Sequence, residues 1–251
     1  MIMGRKALAL YVSANSMIAV ARASMLTPLV ATHAGISSID WKAWGAGLRE
    51  HFGVATVQLL LSARQCHYQV LPWLSSCYTG ATIRRHVEDA FMATAGVDAD
   101  SHRIEIDWPA YGEAVRAAAY PRAVVASLQE GLVASGHVLA GVDSSIGPIL
   151  RRYGKAVEVG HALLAYGEDD GITGITLEHG KVVQIDTLSG SGTGLDDVGV
   201  WSSRKQFAFA DDAQLHWLAT TPQPVSYAGT QLPVTGSVPA SAGHAVVMAW
   251  Q

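Results

Sequence analysis

The sequence predicts an α/β fold assembled from two units that open in the same way. Residues 7–32 carry three strand-length apolar runs in succession, and residues 161–188 carry three more. Short polar or glycine-bearing turns separate the runs, so each trio reads as a meander. After the first trio the period lengthens to that of an amphipathic helix and then returns to a continuous apolar strand, the mixed pattern of an α/β unit.

Taken in order, Ala7 to Val12 is apolar and ends at Ser13-Ala14-Asn15-Ser16, a hairpin turn before Met17 to Ala21. A third run follows from Met25 to Thr32. Ser37 or Ser38 is the expected cap of a helix beginning near Asp40, with Trp41, Trp44, Leu48 and His51 or Phe52 on its buried face and Gly53 as its stop. Val54 to Leu61 reads as a buried strand. From about Arg64 the pattern changes to a smaller α+β segment. Its parts are a strand from Cys66 to Leu71, a helix near Thr79 to Thr94 with Ile83, Val87, Ala90 and Phe91 on one face, and a hairpin pairing Arg103–Trp108 with Glu113–Tyr120. Pro121 opens a helix through Val125, Leu128 and Leu132 to Gly136, and a strand at Val138 to Val142 and a short helix from Ser144 to Tyr153 follow.

The second meander is His161–Tyr166, Ile172–Glu178 and Val182–Leu188, the last two joined by the tight turn His179-Gly180. Beyond Gly190 the periodicity fades, leaving a short helix expected around Asp211 to Leu218 and a strand at His244 to Trp250. The expected organisation is a first lobe at 1–155, holding an inserted subdomain at about 64–142, and a shortened second lobe at 156–251.

Several function classes drop out. The chain has 251 residues and a formal charge of −4, which offers no general attraction to nucleic acid or to an anionic membrane. No nucleic-acid partner is expected. Cys66 and Cys77 are too few for a disulfide framework and lack zinc or redox spacing, which suits a reduced compartment. Arg5, Lys6, Asn15 and Arg22 break up the apolar N-terminus, so it falls short of the roughly 20 apolar residues that span a bilayer. A signal-peptide reading, with Ala21-Arg22-Ala23 as its cleavage site, is opposed by the polar Ser13–Ser16 turn and the strand-like run after it. The 10 histidines show no His-x-x-x-His or His-Glu-x-x-His pair, so no metal site is expected. No Gly-x-Ser-x-Gly elbow is present, and Cys66 and His67 point to opposite faces of a strand, so no catalytic residue is assigned. Trp41 and Trp44 read as core. Trp73 and Tyr78 flank a loop beside the inserted segment and are the candidate partner-binding residues.

Two units that each open with a three-stranded meander, the first continued by helix, strand and helix, resemble the duplicated plan of the superfamily of actin, heat-shock chaperones and sugar kinases. This is a duplicated, ribonuclease H-like βββαβα arrangement. Local phrases are similar to one branch of it, the PilM-like and type II secretion GspL-like cytoplasmic proteins. Pro121 to Leu132 followed by Ser135-Gly136-His137 resembles the helix and glycine turn by which those proteins enter a strand. Ala162 to Gly167 with Gly171 to Val183 resembles their second phosphate-loop hairpin. The α+β segment sits where they carry an inserted subdomain.

The resemblance implies that two hairpin loops wrap a nucleotide's phosphates, since backbone N–H groups and small hydroxyls approach an anion closely. The equivalents are Ser13, Asn15 and Ser16 in the first loop and Gly167, Gly171 and Thr173 in the second, with Gly190 and Gly192 in the glycine-rich turn near the adenosine, ahead of a helix at Leu195. As a dinucleotide fingerprint Gly190–Gly194 fails on spacing, and a flexible link is its plainer reading. The acid usual at the end of the first strand is missing, and Ala165 stands at the matching place of the second. Glu168, Asp169 and Asp170 would repel a triphosphate without magnesium. The expectation is a degenerate site whose acids form a plain solvated hairpin tip. No cofactor is expected; ATP with magnesium is the ligand an intact site would take. The leading functional reading is a cytoplasmic scaffold at the inner face of the membrane, binding protein subunits of a membrane-associated assembly. The alternatives are a nucleotide-binding switch and a sugar-kinase-type phosphotransferase, for which Asp143 is the catalytic candidate.

Overall fold

The computed structural model describes residues 6–21, 29–32, 39–76, 79–158, 160–188, 195–208, 210, 212–219 and 229–232. Among them, strands β1 (Lys6–Val12), β2 (Ser16–Ala21), β3 (Leu29–Thr32), β4 (Ala55–Leu61) and β8 (Val138–Ser144) form a sheet in the order β3-β2-β1-β4-β8. Strands β9 (His161–Glu168), β10 (Gly171–Glu178), β11 (Lys181–Leu188), β12 (Gln214–Ala219) and β13 (Thr230–Gln231) form another in the order β11-β10-β9-β12-β13. The senses match position by position. In each sheet the meander pairs are antiparallel, and the two strands beyond the first meander strand run parallel to it. The repeat read from the sequence is thus a repeat of topology, and the fold is a duplicated α/β one.

The inserted sheet is β5-β7-β6, made of β5 (His67–Leu71), β6 (His102–Asp107) and β7 (Val115–Pro121). Helix α2 (Gly80–Ala95) covers it by burying Ile83, Val87 and Phe91 against Ile104, Ile106 and Ala119. Thr79 caps α2 and Gly96 ends it at φ +63. Helix α3 (Arg122–Ala134) and β8 return to the first sheet, so the segment expected at 64–142 is shared between two sheets.

Helix α1 (Trp41–Phe52) packs with α3 on the first sheet, burying Leu48, Phe52, Leu128 and Leu132 over Leu8, Leu10 and Leu59. Its cap is Asp40, whose carboxylate accepts from Lys42 and Ala43 N–H at 3.0 Å. The serines expected to cap it lie outside the described residues. Trp41 and Trp44 are half-buried against this core. Helix α4 (Ile146–Tyr153) lies on one face of the second sheet through Ile146, Ile149 and Tyr153, and α5 (Leu195–Ala208) lies on the other through Val198 and Trp201.

One expected element is wrong. The helix placed at 211–218 is strand β12, with Trp217 buried toward α5 and Leu218 buried toward α4. A strand apolar on both faces has no period of 2 to reveal it. The strand expected at His244–Trp250 lies outside the described residues.

Candidate functional site

The two meanders end in hairpin turns that meet. The first turn begins where β1 runs out at Val12. Ser13 N–H donates to the Ser16 carbonyl at 2.9 Å, and the Ser13 hydroxyl oxygen accepts from Asn15 N–H at 3.1 Å and Ser16 N–H at 2.9 Å. That oxygen's own proton is left to point outward, and it donates to Asp169 Oδ2 at 2.9 Å. Ser16 Oγ donates to the same oxygen. Ala14 N–H donates to Asp170 Oδ2 at 3.0 Å, and Asn15 Nδ2 donates to the Asp169 carbonyl at 2.8 Å.

The short helical turn Ala63–Gln65 after β4 supplies the rest of the cradle. Ser62 Oγ donates to Asp170 Oδ2 at 2.6 Å, and Ala63 N–H donates to Glu168 Oε2 at 2.8 Å. Both strand-end tyrosines converge on the other oxygen of Glu168, Tyr11 Oη at 3.0 Å and Tyr166 Oη at 3.1 Å. Glu168 is 7 % exposed. Burial pushes its carboxyl up to about 8, with the Asp170 charge adding in the same sense, while the donors from Ala63 and Tyr11 pull the other way. Burial, and then the charge of Glu168, raises both tyrosines well above their ordinary range, so each stays a hydroxyl donor.

The acidic tip is therefore not the solvated loop expected from sequence. It is seated in the cradle of hydroxyls and amides on the first hairpin, the loop to which the resemblance assigns phosphate binding. Arg64 fastens the junction from the side by donating to the Leu188 carbonyl at 3.1 Å. Gly171 admits it: at φ +155 a Cβ there would come within 2.6 Å of Arg64 Cδ.

Of the residues expected in a nucleotide site, Ser13, Asn15 and Ser16 are brought to the junction. Gly167 and Gly171 bracket the tip, and Thr173 is buried inside β10 opposite Tyr166. Gly190 and Gly192 lie outside the described residues; α5 does begin at Leu195. A cavity of about 590 Å³ lies beside the first hairpin, but its walls are Ala14, Ile39, Trp41, Gln65 and α3, with nothing from the second hairpin. The donors of the cradle are engaged by the chain's own carboxylates, which does not fit a triphosphate held between the loops. Sequence reasoning missed Tyr11, Ser62 and Tyr166. A signal was present for two of them, since Tyr11 and Tyr166 each stand two residues before the residue that opens the turn contacts, Ser13 and Glu168.

Asp143 stands near the end of β8 as expected, but its carboxylate is held by Ser144 N–H at 2.8 Å and by Arg151 at 3.6 Å. Trp73 is half-buried beneath Tyr111, ring centroids 5.2 Å apart, and the neighbouring Leu74, Trp108 and Tyr111 are exposed. Tyr78 lies outside the described residues.

No family model and no curated protein matches the chain. Solved structures do. The cytoplasmic domain of EpsL, an inner-membrane component of the type II secretion system of Vibrio cholerae, superimposes with a TM-score of 0.61 at 14 % identity over 97 % of this chain and 94 % of that one. A Bacteroides thetaiotaomicron protein with an actin-like ATPase fold and unknown function gives 0.57 at 11 % identity, over 88 % and 83 %. A chain of the PilM–PilN type IV pilus biogenesis complex gives 0.50 at 12 % identity, over 82 % and 68 %. At these identities the likeness is one of fold, and together with the doubled strand order it establishes that this chain has the actin-like fold.

Proposed function

We propose that the chain is a non-enzymatic scaffold that binds partner subunits of a type IV pilus or type II secretion-like machine through its actin-like platform. The observation that carries this reading is the seating of Glu168, Asp169 and Asp170 in the donor cradle of the first hairpin. A phosphoryl-transfer enzyme of this fold would keep those donors free for the substrate's phosphates. The fold neighbours add support, because two of them are parts of such machines. In this reading residues 1–155 and 156–251 are the two lobes, and the protein works at the inner face of the cytoplasmic membrane, held there by its partners. No helix among the described residues is long and apolar enough to cross a membrane.

The docking face of this reading is the loop end of the inserted sheet. Tyr111 is 85 % exposed and Trp108 54 %, beside Trp73 and Leu74. Large aromatic side chains cost little entropy to order and dominate interface energetics. The nearby charges are internally paired, Arg116 with Asp107 and Lys181 with Glu113, leaving an apolar centre with a neutralised rim.

Two measurements test the proposal. Calorimetric titration with magnesium ATP, followed by a turnover assay, should give neither saturable binding nor product. Binding without turnover would make the protein a nucleotide switch, and phosphate transfer to a sugar would sink the scaffold reading. Cross-linking in cells should recover subunits of a membrane assembly, and a Trp108→Ser/Tyr111→Ser variant of unchanged melting temperature should lose them.

A further inference from the structure

The junction between the hairpins gathers three carboxylates and, among the described residues, no lysine, arginine or histidine pairs with any of them. Arg64, which follows the Ser62–Ala63 part of the cradle, gives its guanidinium to a backbone carbonyl. The titratable groups that face Glu168 are Tyr11 from β1, Tyr166 from β9, Cys66 and Tyr68 after β4, and Asp169 and Asp170 beside it on the tip, with the Ser145 hydroxyl ahead of α4 as a further neighbour. All four neutral titratable groups are held in their protonated form by burial, so none supplies a positive charge. Asp170 is also incompletely satisfied, since its Oδ1 is buried without a hydrogen-bond partner.

Ionised carboxylates gathered in one poorly solvated place with no paired cation favour taking up a proton over all being charged. We infer that the junction is a proton-coupled clamp: seating the acidic tip in the first hairpin takes up one proton, held on the Glu168 carboxyl, and opening the junction releases it. The raised proton affinity of Glu168 agrees with the geometry. The inference stands on the contacts of the junction and goes beyond the assembly role, which neither requires it nor falls with it.

The sign follows from linkage. In the open state Glu168 is an ordinary solvated carboxylate that has lost its proton above about pH 4.5, whereas in the closed state it keeps the proton up to about 8. Between those values each opening releases one proton, so the opening equilibrium rises by up to about tenfold per pH unit and levels off above about pH 8. Raising the pH through the neutral range loosens the clamp.

Hydrogen exchange on the intact protein reads this directly. The reporters are the amides of Ala14 and Ala63, which donate to Asp170 and Glu168, and the controls are amides in the interior of α2. After correction for base-catalysed intrinsic exchange, the reporters should lose protection by up to about tenfold per pH unit from pH 5.5 to 7.5, and the controls should not. Glu168→Gln, which cannot titrate, should flatten the reporter profile. Asp170→Asn keeps an acceptor for Ala14 and Ser62 but removes the like charge, so its profile should level off at a lower pH. A wild-type profile parallel to the controls overturns the inference, as does an unchanged slope in Glu168→Gln. If that variant does not fold, an unshifted plateau in Asp170→Asn overturns it.

Discussion

Tyr11 and Tyr166 occupy equivalent positions in the two meanders and donate to the same oxygen of Glu168. Replacing either by Phe leaves the ring packing intact and deletes one buried donor to an acid. The expected cost is about 1–2 kcal/mol, or roughly 2–4 °C per kcal/mol in melting temperature for a chain of this size. Because both serve one oxygen, the double variant should cost measurably less or more than the sum, and a double-mutant cycle of denaturant midpoints checks that. His137 is a second residue on which stability turns. It is 2 % exposed, its Nδ1 accepts from Ala55 N–H at 3.1 Å, and its Nε2 faces the Gly45 carbonyl at 3.2 Å, an arrangement that suits a neutral ring with the proton on Nε2. Burial holds its pKa below the ordinary value. Above pH about 6.5 native and unfolded rings are both neutral. Below it the unfolded ring binds a proton that the native ring refuses, so stability is lost as pH falls toward the depressed native value. Urea midpoints should therefore drop from pH 7 to pH 5, and His137→Phe should remove part of that drop while lowering the midpoint at pH 7.

At the scale of elements, the contact between α1 and α3 is set by two glycines. A Cβ on Gly45 would lie 2.6 Å from the Gly131 carbonyl oxygen and 2.8 Å from Ser135 Oγ, and one on Gly131 would meet the Trp41 backbone. Alanine at 131 gains about 1 kcal/mol in helix propensity, yet it must push two helix backbones apart over a filled core, which costs about 1–3 kcal/mol or more. The clash should win, and Gly131→Ala should lower the melting temperature; a rise would show that α3 can slide. Neither glycine stands out in the sequence, because a close backbone approach leaves no side-chain signature. The strands of both meanders were legible, since their apolar runs are bounded by turn residues, and so was the turn His179-Gly180, whose residues have φ of 48 and 72. β12 was not, because Leu215 to Leu218 face apolar neighbours on both sides and the acids at Asp211 and Asp212 imitate a helix start. In the candidate site the first hairpin's hydroxyls could be read locally. Their ligand could not, since Asp169 and Asp170 lie more than 150 positions away in the chain.

For the molecule as a whole, the consequence is that two similar bodies are joined by polar groups at their hairpin tips and, beside them, by an apolar contact. The first sheet with α1 and α3 has its own apolar core, and the second sheet with α4 and α5 has another. Between them run the tip contacts, the Arg64 bond to Leu188, the Lys181–Glu113 ion pair, and the side of β5 that lies against β11, where Tyr68 and Val70 pack with Ala63 on the second core. Replacing Asp169 and Asp170 together by Ala removes the side-chain acceptors for Ser13, Ala14, Ser16 and Ser62. Each lost bond would cost about 1 kcal/mol net, but deleting the two adjacent charges of the tip also relieves their mutual repulsion, so the coupling should fall by about 2–3 kcal/mol and not by the full sum. Both cores should survive that loss. Scanning calorimetry should then show the melting transition broaden or split as the bodies unfold with less mutual support, and solution scattering should give a larger radius of gyration. A single sharp transition with unchanged scattering would instead assign the coupling to β5 and β11, leaving the tip as a seal over the cradle with no part in holding the two bodies together.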